Sequence, residues 1–397
     1  MTHLMPTYRE PVVRFVSGKG CRLVDSEGRS YLDFLSGLGV TSLGHADPAV
    51  TAAVAAQVAR LAHVSNIFGN EFNEAVAAQL DTLIGDGTPA GGQVFFANSG
   101  AEANECAIKV ARRFGGPGRY GVVSAFGSFH GRTLATLHAT GQPAKHEAFL
   151  PLPEGFSHVA YGDAAALRGI DPTAVVGVLL EPILGESGVV PPPPGYLAEA
   201  RAICDELGLL LIVDEIQTGL GRTGRWFAFQ REGIVPDVVT VAKALGNGVP
   251  VGACWARAAV ARAFRPGDHG STFGGQPLAM AAAQATLERL IAIDAPGTAA
   301  RVGERLTALL ARIDGVAAVR GAGLLLGVVL EDGIEARAVF HEALAAGLVV
   351  NTPAPGVIRL LPPFVVTEAD CDEAVRLLAG AIARVRAGER GGKEGTP

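Results

Sequence analysis

Cysteine is scarce in this chain: five in 397 residues, Cys21, Cys106, Cys204, Cys254 and Cys371, odd in number and never in CxxC spacing. That scatter excludes a disulfide framework and a thiolate metal site, and the expected setting is a reducing cytoplasm. Basic charge is short as well, with 33 Lys and Arg against 39 Asp and Glu and a net charge of −6. No basic field exists to recruit nucleic acid. Long apolar runs are missing, none approaching the roughly 20 residues that cross a bilayer, so no membrane partner is expected. The opening MTHLMPTYREPVV has no apolar core of the kind a secretory signal needs. No residues show metal-ligand spacing; His45 stands alone in a glycine-rich loop, where it is expected to hydrogen-bond within its turn, and no metal is expected. Neither GxxxxGKS/T nor GxGxxG occurs, which excludes those two phosphate grips.

What the chain does have is apolar bulk, 49% of its residues, enough over this length for two or three structural units. The stretch from Leu209 to Gly248 organises the rest, with LLLIV running into Asp214 and VVTVA leading to Lys243. Neither run alternates, which is the pattern of strands covered by helices on both faces. A charge at the end of such a strand needs a partner. A lysine in an apolar pocket has its charged form disfavoured, which yields the free amine that makes a Schiff base. An aspartate beside it can hold a pyridinium nitrogen, so the pair points to pyridoxal 5'-phosphate. Taken singly, Asp214 reads equally well as a turn cap and Lys243 as a surface lysine.

Further segments bear on that choice. VFFANSGAEANECAIKVARRFG is a buried strand, a small-residue turn and an amphipathic helix with Ala103, Ala107, Ile108, Ala111 and Phe114 on its apolar face. Ser99 and Gly100 stand where the helix starts, and free N–H groups together with the helix dipole make that point a phosphate seat. The plainer reading is an N-cap at Asn98 or Ser99 with Glu102 completing a capping box. In FGSFHGRTLATLHATGQ, Phe129 offers a ring that can lie on an aromatic cofactor and Arg132 a planar fork for a substrate carboxylate. Without a ligand these are a core phenylalanine and a surface arginine. His130 reads as an orienting group rather than a base, since Lys243 already offers an amine for proton transfer. Ser271 and Thr272 supply hydroxyls suited to a phosphate or carboxylate. Arg359 lies in the apolar VIRLL and, once buried, needs a carboxylate partner.

Strand and helix alternate from YGVVSA through VVGVLLEPILGES to the Asp214 strand, predicting an α/β fold with right-handed crossovers and a mainly parallel sheet. Glu181, Asp214 and Lys243 fall at strand C-terminal ends, where such sheets carry their sites. Helices are expected over 48–62 and 73–84. Residues 1–46 read as an N-terminal arm packing with the smaller unit and 47–295 as the large cofactor-binding unit. Residues 296–397 read as a smaller α+β unit: helix 299–313, a strand in GAGLLLGVVLE, helix 335–346, strand VIRLL and a last helix from Glu368. RAGERGGKEGTP reads as a disordered tail.

NSGAEANE, FHGRT, LEPILGES, VDEIQTGLGRTG, TVAKALGNG and GSTFGGQPLA follow one another in a family's order and spacing. By these motifs, and over nearly its whole length, the chain resembles the class III, ornithine-aminotransferase-like subgroup of fold type I pyridoxal-phosphate aminotransferases. Within that subgroup it looks most like the acetylornithine aminotransferases. The resemblance implies Lys243 as the Schiff-base lysine and proton shuttle, Asp214 on the pyridine nitrogen, Gln217 near the ring hydroxyl and Phe129 stacked on the ring. It implies Gly100 and Ala101 at the phosphate, with Thr272 reaching it from the other subunit of a homodimer. Arg132 resembles the residue that takes the α-carboxylate of an acylated ornithine, with Ser271 close to it. Arg359 resembles the arginine that binds glutamate or 2-oxoglutarate, and Glu186 the glutamate that masks it while the ω-amino substrate is bound.

The implied reaction moves the δ-amino group of N2-acetylornithine to 2-oxoglutarate in a ping-pong cycle. The alternative is a related ω-amino acid, such as ornithine, succinylornithine or a secondary-metabolite precursor. This chain departs from the family pattern at Leu184 and Ser187 of ILGES, at Gln276 and at Asp47. Leu38 stands where ornithine δ-aminotransferases resemble one another in having a tyrosine for the free α-amine, and an apolar residue there suits an acylated amine.

Overall fold

The computed structural model describes residues 3–393. Three strands open the chain, β1 (Phe15–Lys19), β2 (Arg22–Asp25) and β3 (Ser30–Asp33), an antiparallel meander with Gly20 at φ 57° and Gly28 at φ 82° in its turns. Glycine takes such left-handed angles without steric cost.

The central sheet follows, built from β4 (Gly92–Ala97), β5 (Gly121–Ala125), β6 (Phe156–Val159), β7 (Val175–Leu180), β8 (Leu210–Asp214), β9 (Val238–Val241) and β10 (Gly252–Arg257). Its spatial order is β4-β10-β9-β8-β7-β5-β6. Strands β5 to β9 pair in parallel, and β10 runs antiparallel to both β9 and β4. The unalternating runs ahead of Asp214 and Lys243 are explained by two cores: Leu211, Val213, Val239 and Val241 face one, Leu210, Ile212 and Val238 the other. Strand β10, GACWAR, falls outside the expected strands because its small residues carry little strand propensity; pairing with both neighbours makes it one.

The remaining strands are β11 (Val316–Ala322), β12 (Leu325–Leu330), β13 (Leu348–Val349), β14 (Asn351–Ala354) and β15 (Val357–Leu360). Four form an antiparallel sheet ordered β11-β12-β15-β14, while β13 joins the opening meander by pairing in parallel with β3. GAGLLLGVVLE is therefore not one strand but a hairpin corner, with Gly323 at φ 53° between β11 and β12.

The helices Pro48–Arg60 and Asn73–Ile84 lie where the sequence places them. The helix expected over 299–313 starts earlier and covers Ala295–Leu310. Asp294 caps it by accepting from Gly297 N at 3.2 Å, and Pro296 sits in its first turn, a position proline favours. Phe114, expected on a buried face, is 42% exposed in the last turn of the Gly100–Gly115 helix. The final helix, Glu368–Lys393, runs through the first part of the stretch expected to be a disordered tail, and 394–397 lie outside the described residues. No helix among the described residues is long and apolar enough to cross a membrane.

Candidate active site

The C-terminal ends of β7, β8 and β9 open onto a cavity of about 440 Å³. Ser99, Gly100 and Ala101 enter its wall from the start of the Gly100–Gly115 helix, Phe129 and Arg132 from the loop after β5, and Glu186 from the loop after β7. Asp214 ends β8, Gln217 follows it, and Lys243 stands two residues past β9; all three line the same cavity.

The plainer reading of the helix start is met in its N-cap. Ser99 is the N-cap, its Oγ accepting from Glu102 N at 3.2 Å, while Glu102 Oε2 accepts from Asn98 N at 2.6 Å. The N–H groups of the first turn, those of Gly100 and Ala101, have no helical carbonyl behind them and are left for an anion. A Cβ at residue 100 would come within 2.8 Å of Ile216, which lines the same cavity, so a larger residue would push Ile216 aside.

Asp214 is only 4% exposed. Its Oδ1 caps the turn, accepting from Ile216 N at 3.1 Å, and its Oδ2 accepts from Asn104 Nδ2 and from His130 Nδ1, each at 2.8 Å. His130 therefore serves to orient Asp214. Glu181, just past β7, accepts from Phe129 N at 2.7 Å and Gly185 N at 3.3 Å, and burial pushes its pKa up to about 7.

Lys243 holds a left-handed backbone with φ 43°, a conformation that costs a non-glycine residue roughly 1–3 kcal/mol. Burial lowers the pKa of its amine, and the nearby Glu186 carboxylate pulls the other way. Arg359, fully buried on β15, has the carboxylate partner that its apolar strand requires. Its Nη1 donates to Glu186 Oε1 at 2.7 Å, Gly185 O at 2.9 Å and Gln217 Oε1 at 3.1 Å; its Nε donates to Asn351 Oδ1 at 3.1 Å. Its Nη2 is buried without a hydrogen-bond partner among the described residues. Burial works to raise the pKa of Glu186, but Arg359, and then Lys243, hold it below the usual carboxylate range. The Arg132 guanidinium lies 5.6 Å over the Phe129 ring.

Ser271 and Thr272 do not line the cavity of their own chain. Ser271 Oγ accepts from Asn98 Nδ2 at 3.2 Å and Gly274 N at 2.9 Å, and Thr272 is exposed. The departures from the family pattern are spent on local structure, and none lines the cavity. Asp47 caps the Pro48–Arg60 helix, Gln276 accepts from Val64 N at 2.8 Å, Leu184 pairs with Val190, and Ser187 donates to Gly127 O. Asn104 and Thr240 join the site without having been marked in the sequence. The available signal was a lone amide among the small apolar residues of the Gly100–Gly115 helix.

Comparison with known proteins agrees with this geometry. The class-III aminotransferase family model matches residues 5–382. The acetylornithine aminotransferase of Corynebacterium efficiens is 47% identical over 394 residues, 97% of this chain and 96% of that one. That of Streptomyces coelicolor is 47% identical over 382 residues, 96% of this chain and 92% of the other. The crystal structure of ornithine aminotransferase from Toxoplasma gondii superposes with a TM-score of 0.92 at 34% identity, covering 97% of this chain and 93% of that chain. The N-acetylornithine aminotransferase of Stenotrophomonas maltophilia gives 0.83 at 34% identity, covering 96% and 98%. The residues present fit pyridoxal phosphate: free N–H groups at a helix start, a buried carboxylate, a ring and a buried amine share one cavity of suitable size. The chain belongs to the class-III aminotransferases and is a pyridoxal-phosphate-dependent transaminase.

Proposed function

We propose that this transaminase moves the δ-amino group of N2-acetyl-L-ornithine to 2-oxoglutarate, giving N-acetyl-L-glutamate 5-semialdehyde and L-glutamate, a step of arginine biosynthesis. The observation that carries this reading is the fully buried Arg359 paired at 2.7 Å with Glu186, whose side chain is 34% exposed, beside Lys243. One cavity must accept first an acylated amine donor and then a dicarboxylate. With Glu186 on Arg359 the pair is neutral toward the first; with Glu186 swung out, Arg359 and its unpartnered Nη2 take the α-carboxylate of the second. Leu38, expected to suit an acylated amine, does not line this cavity, whereas the apolar Val40 does.

Bound pyridoxal phosphate supplies the electron sink of the reaction. Lys243 would hold the cofactor, and its Nζ, less basic through burial, would take up and return the substrate proton. When the cofactor is bound, Asp214 would hold the ring nitrogen, Gln217 would serve the ring hydroxyl, Phe129 would pack on the ring, and Gly100 and Ala101, with Ser99, would hold the phosphate. Arg132 and Ser271 take the carboxylate of the acylated ornithine. Thr272, exposed and outside its own cavity, completes the phosphate grip of a second copy, so the working unit is a cytoplasmic homodimer. Residues 47–295 form its cofactor-binding domain, 296–397 a smaller domain, and 1–46 an arm against the latter.

The test is an absorbance titration of the holoenzyme's visible band with glutamate, N2-acetylornithine and free ornithine in separate runs. Glutamate and acetylornithine should bleach it rapidly and ornithine weakly. A band that bleaches with glutamate but ignores acetylornithine would rule out the substrate assignment.

A further inference from the structure

Beneath the cavity floor a polar chain crosses from sheet to helix and back. Thr240, on β9, stands in register with Asp214 on β8, and Asn104 lies one turn past Gly100 on the Gly100–Gly115 helix. Thr240 and Asn104 are both 0% exposed. Thr240 Oγ1 donates to Asn104 Oδ1 at 2.7 Å, and Asn104 Nδ2 donates to Asp214 Oδ2 and to His130 O, each at 2.8 Å. This fixes the amide: turned over, its oxygen would face a carboxylate and a carbonyl with no proton between them. The Thr240 hydroxyl, which can donate or accept, donates to the amide oxygen and holds Asn104 in the orientation that Asp214 and the His130 carbonyl set.

We infer that Asn104 and Thr240 are positioning residues that fix Asp214 for the ring nitrogen of the cofactor, an inference that rests on the role given to Asp214 above. The helix that offers its first N–H groups to the phosphate also carries, four residues on, the amide that aims the partner of the ring nitrogen. The two anchors of the cofactor are thereby spaced by a single rigid element. An amide that merely filled space would leave the electronic state of the ring untouched.

The test compares Thr240→Val, Thr240→Ser and Asn104→Ala with wild type. The measurements are pyridoxal-phosphate affinity by reconstitution of the apoprotein, the pH dependence of the visible band, kcat for the glutamate half-reaction, and apoprotein melting. Asn104 bonds the Asp214 carboxylate, so Asn104→Ala should lower kcat on the order of a hundredfold, while Thr240 bonds only the neutral amide oxygen, so Thr240→Val should lower it by at most about tenfold. Both should shift the spectral pH midpoint and weaken cofactor binding, and Thr240→Ser should restore all three. Wild-type kcat, midpoint and cofactor affinity in Thr240→Val would overturn the inference even if the melting temperature fell. That comparison decides the matter if Asn104→Ala does not fold. A wild-type protein that forms no visible band with pyridoxal phosphate, or transfers no amino group from glutamate, would instead sink the transaminase reading and this inference with it.

Discussion

Two buried charges, Asp214 in the cavity wall and Arg359 behind the lining residue Glu186, are built on opposite terms. Asp214 receives donors from three directions: Ile216 N in its own turn, Asn104 from the helix and His130 from the loop after β5. Arg359 is buried more deeply, yet among the described residues its one anionic partner is Glu186, 34% exposed, and its Nη2 has no partner. A charge that must stay in one place is enclosed by donors; a charge that must change partners is given one that can leave. Arg222 sharpens the contrast. It too is buried, but it donates to the carbonyls of Leu324 and Pro362 and to Ser42 Oγ, and lies 4.9 Å over Phe364. It pairs with no carboxylate among the described residues, and burial pushes its pKa down to about 9. Its contacts tie the opening segment to the last sheet and have no reason to move.

The comparison breaks most easily at its fixed end. Asp214→Asn should cost on the order of 10² to 10³ in kcat with every amino donor, the scale of removing one preorganised electrostatic partner. Near-wild-type turnover would show that the enclosing donors serve only folding. At the exchangeable end, Arg359→Ala should lower kcat/KM for glutamate roughly 30-fold or more and acetylornithine far less. Steady-state kinetics with both donors would detect equal losses, which would dissolve the distinction. Glu186→Gln is expected to act in the reverse sense and more mildly. Acetylornithine should lose about tenfold in kcat/KM while glutamate holds or improves, because Arg359 is then never masked.

The smallest effect concerns Glu181, whose pKa is raised by burial from 4.5 to about 7. For an acid raised in the fold, the native state binds more protons than the unfolded chain between those values, so this group's contribution to stability is lost as pH rises. The melting temperature of Glu181→Gln minus that of wild type should therefore increase from pH 4.5 to pH 7. A difference that stays flat or falls across that window would show that Glu181 does not titrate there.

Much of the site was legible before the fold was known. Asp214 and Lys243 end runs too apolar to alternate, and the small-residue turn at Ser99 to Ala101 opens an amphipathic helix; both are signals confined to a few neighbouring residues. Thr272 shows the limit, since no local pattern says whether an exposed hydroxyl serves its own cavity or another. Strand β10 was invisible for a related reason. Its residues gain extended structure from β4 and β9, which lie far from it along the chain.

The sequence by itself determined the residue types, the strand ends that carry them and the motif order, because hydrophobic periodicity and turn chemistry act over a few residues. Only the tertiary structure decided which charges meet. Arg359 reaches Glu186 across 173 positions and Asn104 reaches Asp214 across 110, pairings created when β15 packs beside the loop after β7 and a helix crosses the central sheet. No short-range pattern records such partners, since the cost of burying each charge is met by a group that folding brings from elsewhere in the chain.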